Sequence, residues 1–227
     1  MISVQDLRFN NLKIPSLRIP AGITSIIGPN GCGKTTFLRL CAGITVPESG
    51  SIVINGVLPR ECEVGWVNEF PDRNFIFDSV IEEVSSPLRF RHLPETEVMI
   101  KTRRILDIMG LTSLSGRPIR ELSGGEKVLV AVAAAVVTCP DLLVLDECDS
   151  HLDTACSHQL YQILSGLSIP YIVRSTQDME TAYQADQLIC LEGGSIQFLG
   201  PPESVGTSLS DTPFFPLSWR CGYQHLS

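Results

Sequence analysis

Residues 22–43 read GITSIIGPNGCGKTTFLRLCAG, and this stretch decides the fold. Its first part, residues 22–28, is a short apolar run typical of a buried strand, and residues 34–43 have helical spacing that stops at Gly43. Between them, GPNGCGKTT (28–36) matches G-x-x-x-x-G-K-[ST] in the strand-to-helix context that this pattern requires. Glycines in such a turn let successive backbone N–H groups point at phosphate oxygens. The stretch therefore predicts a phosphate-binding loop.

The side chains of this loop predict Mg²⁺ and the phosphates of a nucleotide as its ligands. Lys34 supplies a compact cation for the β- and γ-phosphates, which makes it a catalytic candidate as well, and Thr35 places a hydroxyl on Mg²⁺. The alternative is a glycine-rich turn with an incidental lysine, and the strand and helix on either side argue against it. The residues expected to bind the nucleotide are Asn30, Gly31, Cys32, Gly33, Lys34, Thr35 and Thr36.

A second candidate site follows another apolar run, in LLVLDECDSHLD (142–153). Asp146 is expected to hold Mg²⁺ through water, and Glu147 to orient or deprotonate the water that attacks the phosphate. The alternative is a transition-metal site made of Asp146, Glu147, Cys148 and His151, which has no recognised ligand spacing behind it.

A third motif, ELSGGEK (121–127), lies between these two. Ser123, Gly124 and Gly125 open an apolar helix, and a helix N-terminus of this kind accepts anions. Taken alone, the motif could be an ordinary capped helix. Its position between a phosphate loop and an Asp-Glu strand makes it a candidate phosphate contact.

Strand and helix signals alternate along the rest of the chain and predict an α/β fold. DQLICLEGGSIQFLG (186–200) has two β runs around Gly-Gly, which predicts a hairpin. We therefore expect a P-loop NTPase core with a mainly parallel sheet, an antiparallel β fringe and an inserted helical subdomain. The further predicted strands are 2–9, 51–56, 63–68, 141–147 and 169–176.

Residues 78–110 have helical periodicity that we expect to be broken at Pro87 and Pro94. The predicted organisation is one ATP-binding domain over residues 1–227. Its core covers about 1–75 and 138–202, the helical subdomain about 76–137, and a short tail 203–227. The mixture of Ser, Pro and isolated aromatics in the tail suggests a docking segment or partial disorder.

Composition narrows the possible partners. The formal net charge of −8 argues against a protein that coats nucleic acid, which would need clustered Lys and Arg.

The run VLVAVAAAVV (128–137) is far shorter than the ~20 apolar residues that span a bilayer, so it predicts a buried helix. The 8 cysteines have no C-x₂₋₄-C spacing, which favours buried, reduced thiols.

Over nearly its whole length the chain resembles the ATP-binding subunit of an ABC transporter. GPNGCGKTT is similar to the Walker A motif, LSGGE to the ABC signature, LLVLDE to the Walker B strand with its catalytic glutamate, and SHLD (150–153) to the D-loop. The resemblance implies that two such subunits pack head to tail, so that Ser123, Gly124 and Gly125 contact the γ-phosphate held by the partner. Asp153 would then lie at the interface, and His151 would be a spacer there rather than a ligand.

The resemblance also implies the partners and the location. One partner is a second ATP-binding subunit, in a homodimer or a heterodimer, and another is an integral membrane transporter subunit. The chain would then be peripheral, on the cytoplasmic face of the cell membrane. Nucleic acid is not an expected partner.

Residues 64–84, VGWVNEFPDRNFIFDSVIEEV, are similar to a segment of energy-coupling-factor importers, including those for cobalt, nickel and vitamins. Three positions depart from the family pattern. Glu69 stands where a Mg²⁺-contacting glutamine is usual, and Gln177 where a switch histidine is usual. The position where an aromatic residue usually stacks on adenine falls near Asn11, and Phe9 is the only nearby candidate for that role. We expect an ATP hydrolase that powers such an importer; the alternative is a weakly hydrolysing regulatory half of a heterodimer.

Overall fold

The computed structural model describes residues 1–150 and 152–204, and these divide into two compact units. Unit 1 contains Met1–Glu61 and the described residues from Tyr171 onward, and unit 2 contains Cys62–Pro170. The predicted helical subdomain, 76–137, falls inside unit 2, and its limits stay a prediction. The expectations for His151 and for most of the tail concern residues outside the described ranges.

The secondary structure alternates as the sequence predicts. The strands are β1 (Ile2–Phe9), β2 (Leu12–Ile19), β3 (Gly22–Ile27), β4 (Ser49–Ile54), β5 (Val64–Val67), β6 (Leu142–Asp146), β7 (Tyr171–Ser175), β8 (Gln187–Glu192) and β9 (Ser195–Gly200). The helices are α1 (Lys34–Cys41), α2 (Val80–Phe90), α3 (Glu95–Ile108), α4 (Gly124–Val136), α5 (Thr154–Gly166) and α6 (Met179–Ala182). Within the described residues, no helix is both long enough and apolar enough to cross a bilayer.

Unit 1 contains both parallel and antiparallel strand pairs. Strand β3 pairs in parallel with β7 on one side and with β8 on the other, and β9 joins β8 antiparallel. A separate antiparallel sheet has the order β2-β1-β4. In unit 2, β5 and β6 are parallel. The predicted α/β fold, with mainly parallel strands and an antiparallel fringe, is confirmed.

The predicted hairpin at Gly193-Gly194 joins β8 and β9. Both glycines have positive φ, 54° and 79°, as a tight two-residue hairpin turn requires. A Cβ on Gly194 would overlap the carbonyl oxygen of Asn11, and the Lys13 N–H donates to the Gly194 carbonyl at 2.8 Å. Glycine is therefore needed both for the turn and for its close approach to the β1–β2 turn.

Strand β2 is absent from the sequence prediction, and it contains a proline, Pro15. Proline has no N–H for a sheet ladder, so it is tolerated mainly on edge strands. Strand β2 is such an edge, since it pairs with β1 alone in the order β2-β1-β4. Leu12, Ile14 and Ile19 still face inward and are almost fully buried.

The described cysteines carry no disulfide, and Cys32, Cys41, Cys148 and Cys190 are buried. Burial raises the pKa of the Cys41 thiol to about 12. Burial, with smaller effects from neighbouring charges, raises the pKa of Cys190 to about 11. These two thiols are therefore protonated at neutral pH and unreactive. Cys139 is exposed, so not every cysteine is in the interior.

The expected helix break at Pro87 is wrong, whereas the break at Pro94 is correct. Helix α2 continues through Pro87 to Phe90, and Pro94 directly precedes α3. Proline at position 87 deprives the Glu83 carbonyl of its usual N–H partner one turn later. The Ser86 hydroxyl donates to that carbonyl at 2.8 Å and replaces the missing bond. A neighbouring serine thus makes an interior proline tolerable.

We predict that Ser86→Ala lowers the free energy of unfolding by about 1–3 kcal/mol, because it leaves the buried Glu83 carbonyl without a donor. Ser85→Ala is the matched control. The Ser85 hydroxyl donates to the Glu82 carbonyl at 3.1 Å, but that carbonyl also accepts the Ser86 N–H in the helix. In a Pro87→Ala background the new N–H should make Ser86→Ala nearly neutral. Urea denaturation measures all four variants, and equal costs with and without Pro87 would contradict the explanation.

Candidate functional site

The predicted phosphate-binding loop lies in unit 1 and connects β3 to α1. It contains three glycines in conformations that other residues rarely adopt. Gly28, Gly31 and Gly33 have φ of 149°, 79° and 111°. Gly33 is the N-cap of α1, and its carbonyl accepts the Phe37 N–H at 2.8 Å. No side chain caps this helix, and a helix N-terminus of this kind accepts anions.

Gly28 lies against strand β8. A Cβ at this position would overlap the Leu191 carbonyl oxygen and come within 2.9 Å of the Cys32 Sγ. A Cβ on Gly33 would lie 2.8 Å from the Cδ2 atom of Leu12. The loop is therefore held close to the β8 backbone and to β2, and only glycine fits at these two positions.

Lys34 is the first residue of α1 and is only 5% exposed. Its Nζ donates to the carbonyl oxygens of Gly28 at 3.0 Å and Pro29 at 3.4 Å. These two acceptors hold the ammonium group inside the curve of the loop. A cation held there is suited to receive the terminal phosphates of a nucleotide.

Gln177 approaches the same loop from the end of β7. Its Nε2 donates to the Asn30 Oδ1 at 3.4 Å. A cavity of about 280 Å³ is lined by residues 27–30 of the loop and by Thr176, Gln177 and Met179. Asp178 caps α6 by accepting the N–H groups of Glu180 and Thr181, which fixes the turn after Gln177. The structure thus brings Gln177 to the P-loop, and its catalytic role stays a prediction.

The two residues considered for adenine stacking lie at the β1–β2 turn. Asn11 is exposed, and its backbone carbonyl faces Gly194. Phe9 is half-buried at the end of β1, where it pairs with Leu12.

In unit 2 the acidic candidates gather at the carboxyl ends of β5 and β6. These parallel strands pair Val67 with Leu145, so Glu69 and the Asp146–Glu147 pair follow at the same edge. Asp146 is 7% exposed, Glu147 is half-buried and Glu69 is exposed.

The backbone turns sharply at Glu147, whose φ is 50°. A positive φ in a residue other than glycine is strained and is found often at functional sites. The Ser150 N–H donates to the Glu147 carbonyl at 3.1 Å and closes the turn. Asp149 is buried in this loop. Among the described residues, no group of three His, Cys, Asp or Glu side chains is arranged to hold a metal ion, and His151 is outside that set.

The signature residues of unit 2 form the beginning of α4. Ser123 is the N-cap, and its Oγ accepts the Glu126 N–H at 3.3 Å. In return, the Glu126 carboxylate accepts the N–H of Ser123 at 2.7 Å and its hydroxyl at 2.8 Å. The bond from the Ser123 N–H, followed by that from its hydroxyl, lowers the pKa of Glu126. Ser123 and Gly124 are exposed, and a Cβ on Gly124 would meet no atom within 4 Å.

Helix α5 begins beside the signature. Asp153 is its N-cap and accepts the Cys156 N–H at 2.7 Å, the main cause of its lowered pKa. A Cβ on Gly125 would lie 3.1 Å from the Cys156 Sγ, so α4 and α5 start close together. Asp153 therefore has a structural contact within its own unit, and its predicted place at a subunit interface is untested.

The sequence analysis does not predict the contact between Glu126 and Ser123. The signal was available, because Ser-x-x-Glu before an apolar run is the pattern of a capping box. The contact between Gly28 and Leu191 had no such signal, since the two residues are far apart in the chain.

A family model described as "ABC transporter" matches residues 12–150. The chain therefore belongs to the ABC transporter family, as an ATP-binding subunit of the ATP-hydrolysing kind.

Particular relatives support this membership. A putative ABC transporter ATP-binding protein of Pyrococcus abyssi is 35% identical over 202 residues, covering 85% of this chain and 78% of that protein. The energy-coupling factor transporter ATP-binding protein EcfA1 of Lacticaseibacillus paracasei is 31% identical over 191 residues, covering 80% and 69%. The structure of cbiO1 from Clostridium perfringens, part of the ABC transporter complex cbiONQ, matches with a TM-score of 0.82 at 27% identity, covering 93% of this chain and 95% of that one.

We predict that Gly28→Ala lowers the free energy of unfolding by about 2–5 kcal/mol, through the overlap with the Leu191 carbonyl added to backbone strain. Gly31→Ala is the matched control, because it shares the positive φ but has no atom within 4 Å of the added Cβ. It should cost only about 1–2 kcal/mol. Chemical denaturation of the two variants measures the difference. Equal destabilisation would show that the close approach to β8 does not constrain the loop.

Proposed function

We propose that this chain powers an energy-coupling-factor-type importer of metal ions or vitamins. Residues 64–84 resemble the corresponding segment of such importers, and an EcfA1 and a cbiO1 are among the relatives described above. The observation that best supports nucleotide binding is the position of Lys34. This residue is 5% exposed, and its ammonium group is held by two carbonyls of a glycine turn.

In this proposal the loop residues Asn30 to Thr36 bind the phosphates of ATP. Thr35 and Asp146, with Glu69, are the residues that would hold Mg²⁺. A hydroxyl and two carboxylates form an all-oxygen donor set, which this ion prefers. Bound Mg²⁺ would neutralise phosphate charge during hydrolysis.

Glu147 is the proposed general base. Glu147 follows a fully buried strand, and its backbone lies in a strained turn with a positive φ. A carboxylate placed beside a bound nucleotide can act on the attacking water as a base.

The proposed partners are a second ATP-binding subunit and an integral membrane subunit, with this chain peripheral on the cytoplasmic face. Exposure of Ser123 and Gly124, with open space beside Gly124, supports a signature that another chain can reach. Affinity purification from detergent-solubilised membranes tests the membrane partner. Recovery of a multi-span protein is expected, whereas recovery of soluble proteins alone would contradict the importer.

One observation favours the second candidate, a weakly hydrolysing regulatory half. Gln177 lies beside the P-loop, and its side chain cannot become cationic as a histidine can. It can keep a hydrogen bond to the transferred phosphoryl group but adds no positive charge there. Charge-assisted hydrogen bonds are roughly twice as strong as neutral ones.

We predict that Glu147→Gln retains ATP binding but slows hydrolysis by about 10²–10⁴-fold, because the amide keeps the shape and loses the base. Calorimetry measures the affinity, and phosphate release measures the rate. Asp149→Asn, a neighbouring buried acid in the same loop, is the control and should retain most of the activity. Wild-type turnover in Glu147→Gln would remove Glu147 from the mechanism.

We predict that Gln177→His raises the hydrolysis rate per site about 10- to 100-fold with little change in ATP affinity, since it restores a group that can carry charge. Gln184→His is the control, because Gln184 is an exposed glutamine in unit 1 that does not line the P-loop cavity. An unchanged rate in the assembled complex would mean that Gln177 does not limit turnover.

A further inference from the structure

We infer that Glu126 restrains closure of the ATP-bound dimer by occupying Ser123, the residue that is to receive the partner's γ-phosphate. This inference rests on the proposed function, in which Ser123 acts on nucleotide held by another chain. It makes Glu126 a positioning residue that sets how tightly two subunits close.

The contact is made by a single carboxylate oxygen. Glu126 Oε2 accepts the Ser123 N–H at 2.7 Å and the Ser123 Oγ–H at 2.8 Å. Ser123 has no other hydrogen-bond donors. A phosphate is an acceptor, so it can bind Ser123 only by displacing this oxygen or sharing a donor with it.

Charge adds to this competition. The two bonds from Ser123 lower the pKa of Glu126, so the side chain is an anion at neutral pH. The arriving phosphate is also an anion and must approach the same helix N-terminus. Closure therefore brings two like charges together. Salt screens this repulsion, because the Glu126–Ser123 hydrogen bonds lie in an exposed position.

The same geometry also stabilises α4 as a capping box, so a test must separate the cap from the charge. Glutamine can form a capping box as glutamate does. Glu126→Gln therefore keeps the helix start and removes only the negative charge. Glu121→Gln is the matched control: Glu121 is exposed, lies close in sequence, and pairs with Arg117 at 4.0 Å rather than with Ser123.

The experiment measures dimerisation by sedimentation velocity in saturating MgATP, in a Glu147→Gln parent that is expected to hydrolyse the nucleotide slowly. Adding Glu126→Gln should lower the dimer dissociation constant about 3- to 10-fold at low salt, because one charge is removed from each of two sites. The gain should shrink below about 2-fold in 1 M NaCl, where the Debye length is about 3 Å. Glu121→Gln should change the constant less than about 2-fold at either salt concentration.

The possible outcomes distinguish a failure of the proposed function from a failure of the inference about Glu126. If the Glu147→Gln parent stays monomeric in ATP, two copies of this chain do not form the composite site, and this inference fails together with that part of the proposed function. If the parent dimerises but Glu126→Gln does not tighten the dimer, this inference alone is overturned. Equal tightening by Glu121→Gln, or tightening that persists in 1 M NaCl, would also overturn it, since general charge reduction or altered packing would then explain the effect.

Discussion

The close approach of Gly28 to the Leu191 carbonyl is the constraint on which the nucleotide site depends. It fixes the loop after β3 against β8, and β3 pairs in parallel with both β7 and β8. The carboxyl ends of the three strands therefore share one edge, the usual place for ligands in open α/β sheets. The P-loop follows β3, and Gln177 follows β7 at that edge, which explains how it reaches Asn30.

The N-termini of helices α1, α4 and α5 differ in the groups that cap them. Helix α1 has a glycine N-cap and no side-chain cap, so its first amides can serve a phosphate. Helix α5 is capped by Asp153, whose side chain accepts the Cys156 N–H. Helix α4 combines both features, because Ser123 is its N-cap residue and also the proposed phosphate contact. The proposed competition at Glu126 follows from this double use.

Sequence patterns predicted those elements that depend mainly on neighbouring residues in the chain. The apolar runs of β3, β6 and β7 are buried strands, and the paired glycines at 193–194 form the hairpin turn. Strand β2 and the continuation of α2 through Pro87 were not predicted. Each contains a proline that depends on its surroundings, an edge position in one case and the Ser86 hydroxyl in the other. The site residues were proposed from motif spacing and from the resemblance to a family, and their roles stay predictions. The geometry of the loop could not be predicted in this way, since the contacts of Gly28 with Leu191 and of Asn30 with Gln177 join positions distant in the chain.

The central claim is that the binding site for ATP held by one subunit is completed by Ser123 of another subunit. Mixing a Ser123→Arg subunit with a Lys34→Ala subunit tests it most directly, because a head-to-tail heterodimer has one site with both defects and one site with neither. Each variant alone should fail to form an ATP-dependent dimer, and the account predicts that the mixture recovers dimers with one bound ATP. If the mixture dimerises no better than the separate variants, the claim that Ser123 acts on the partner's nucleotide is contradicted.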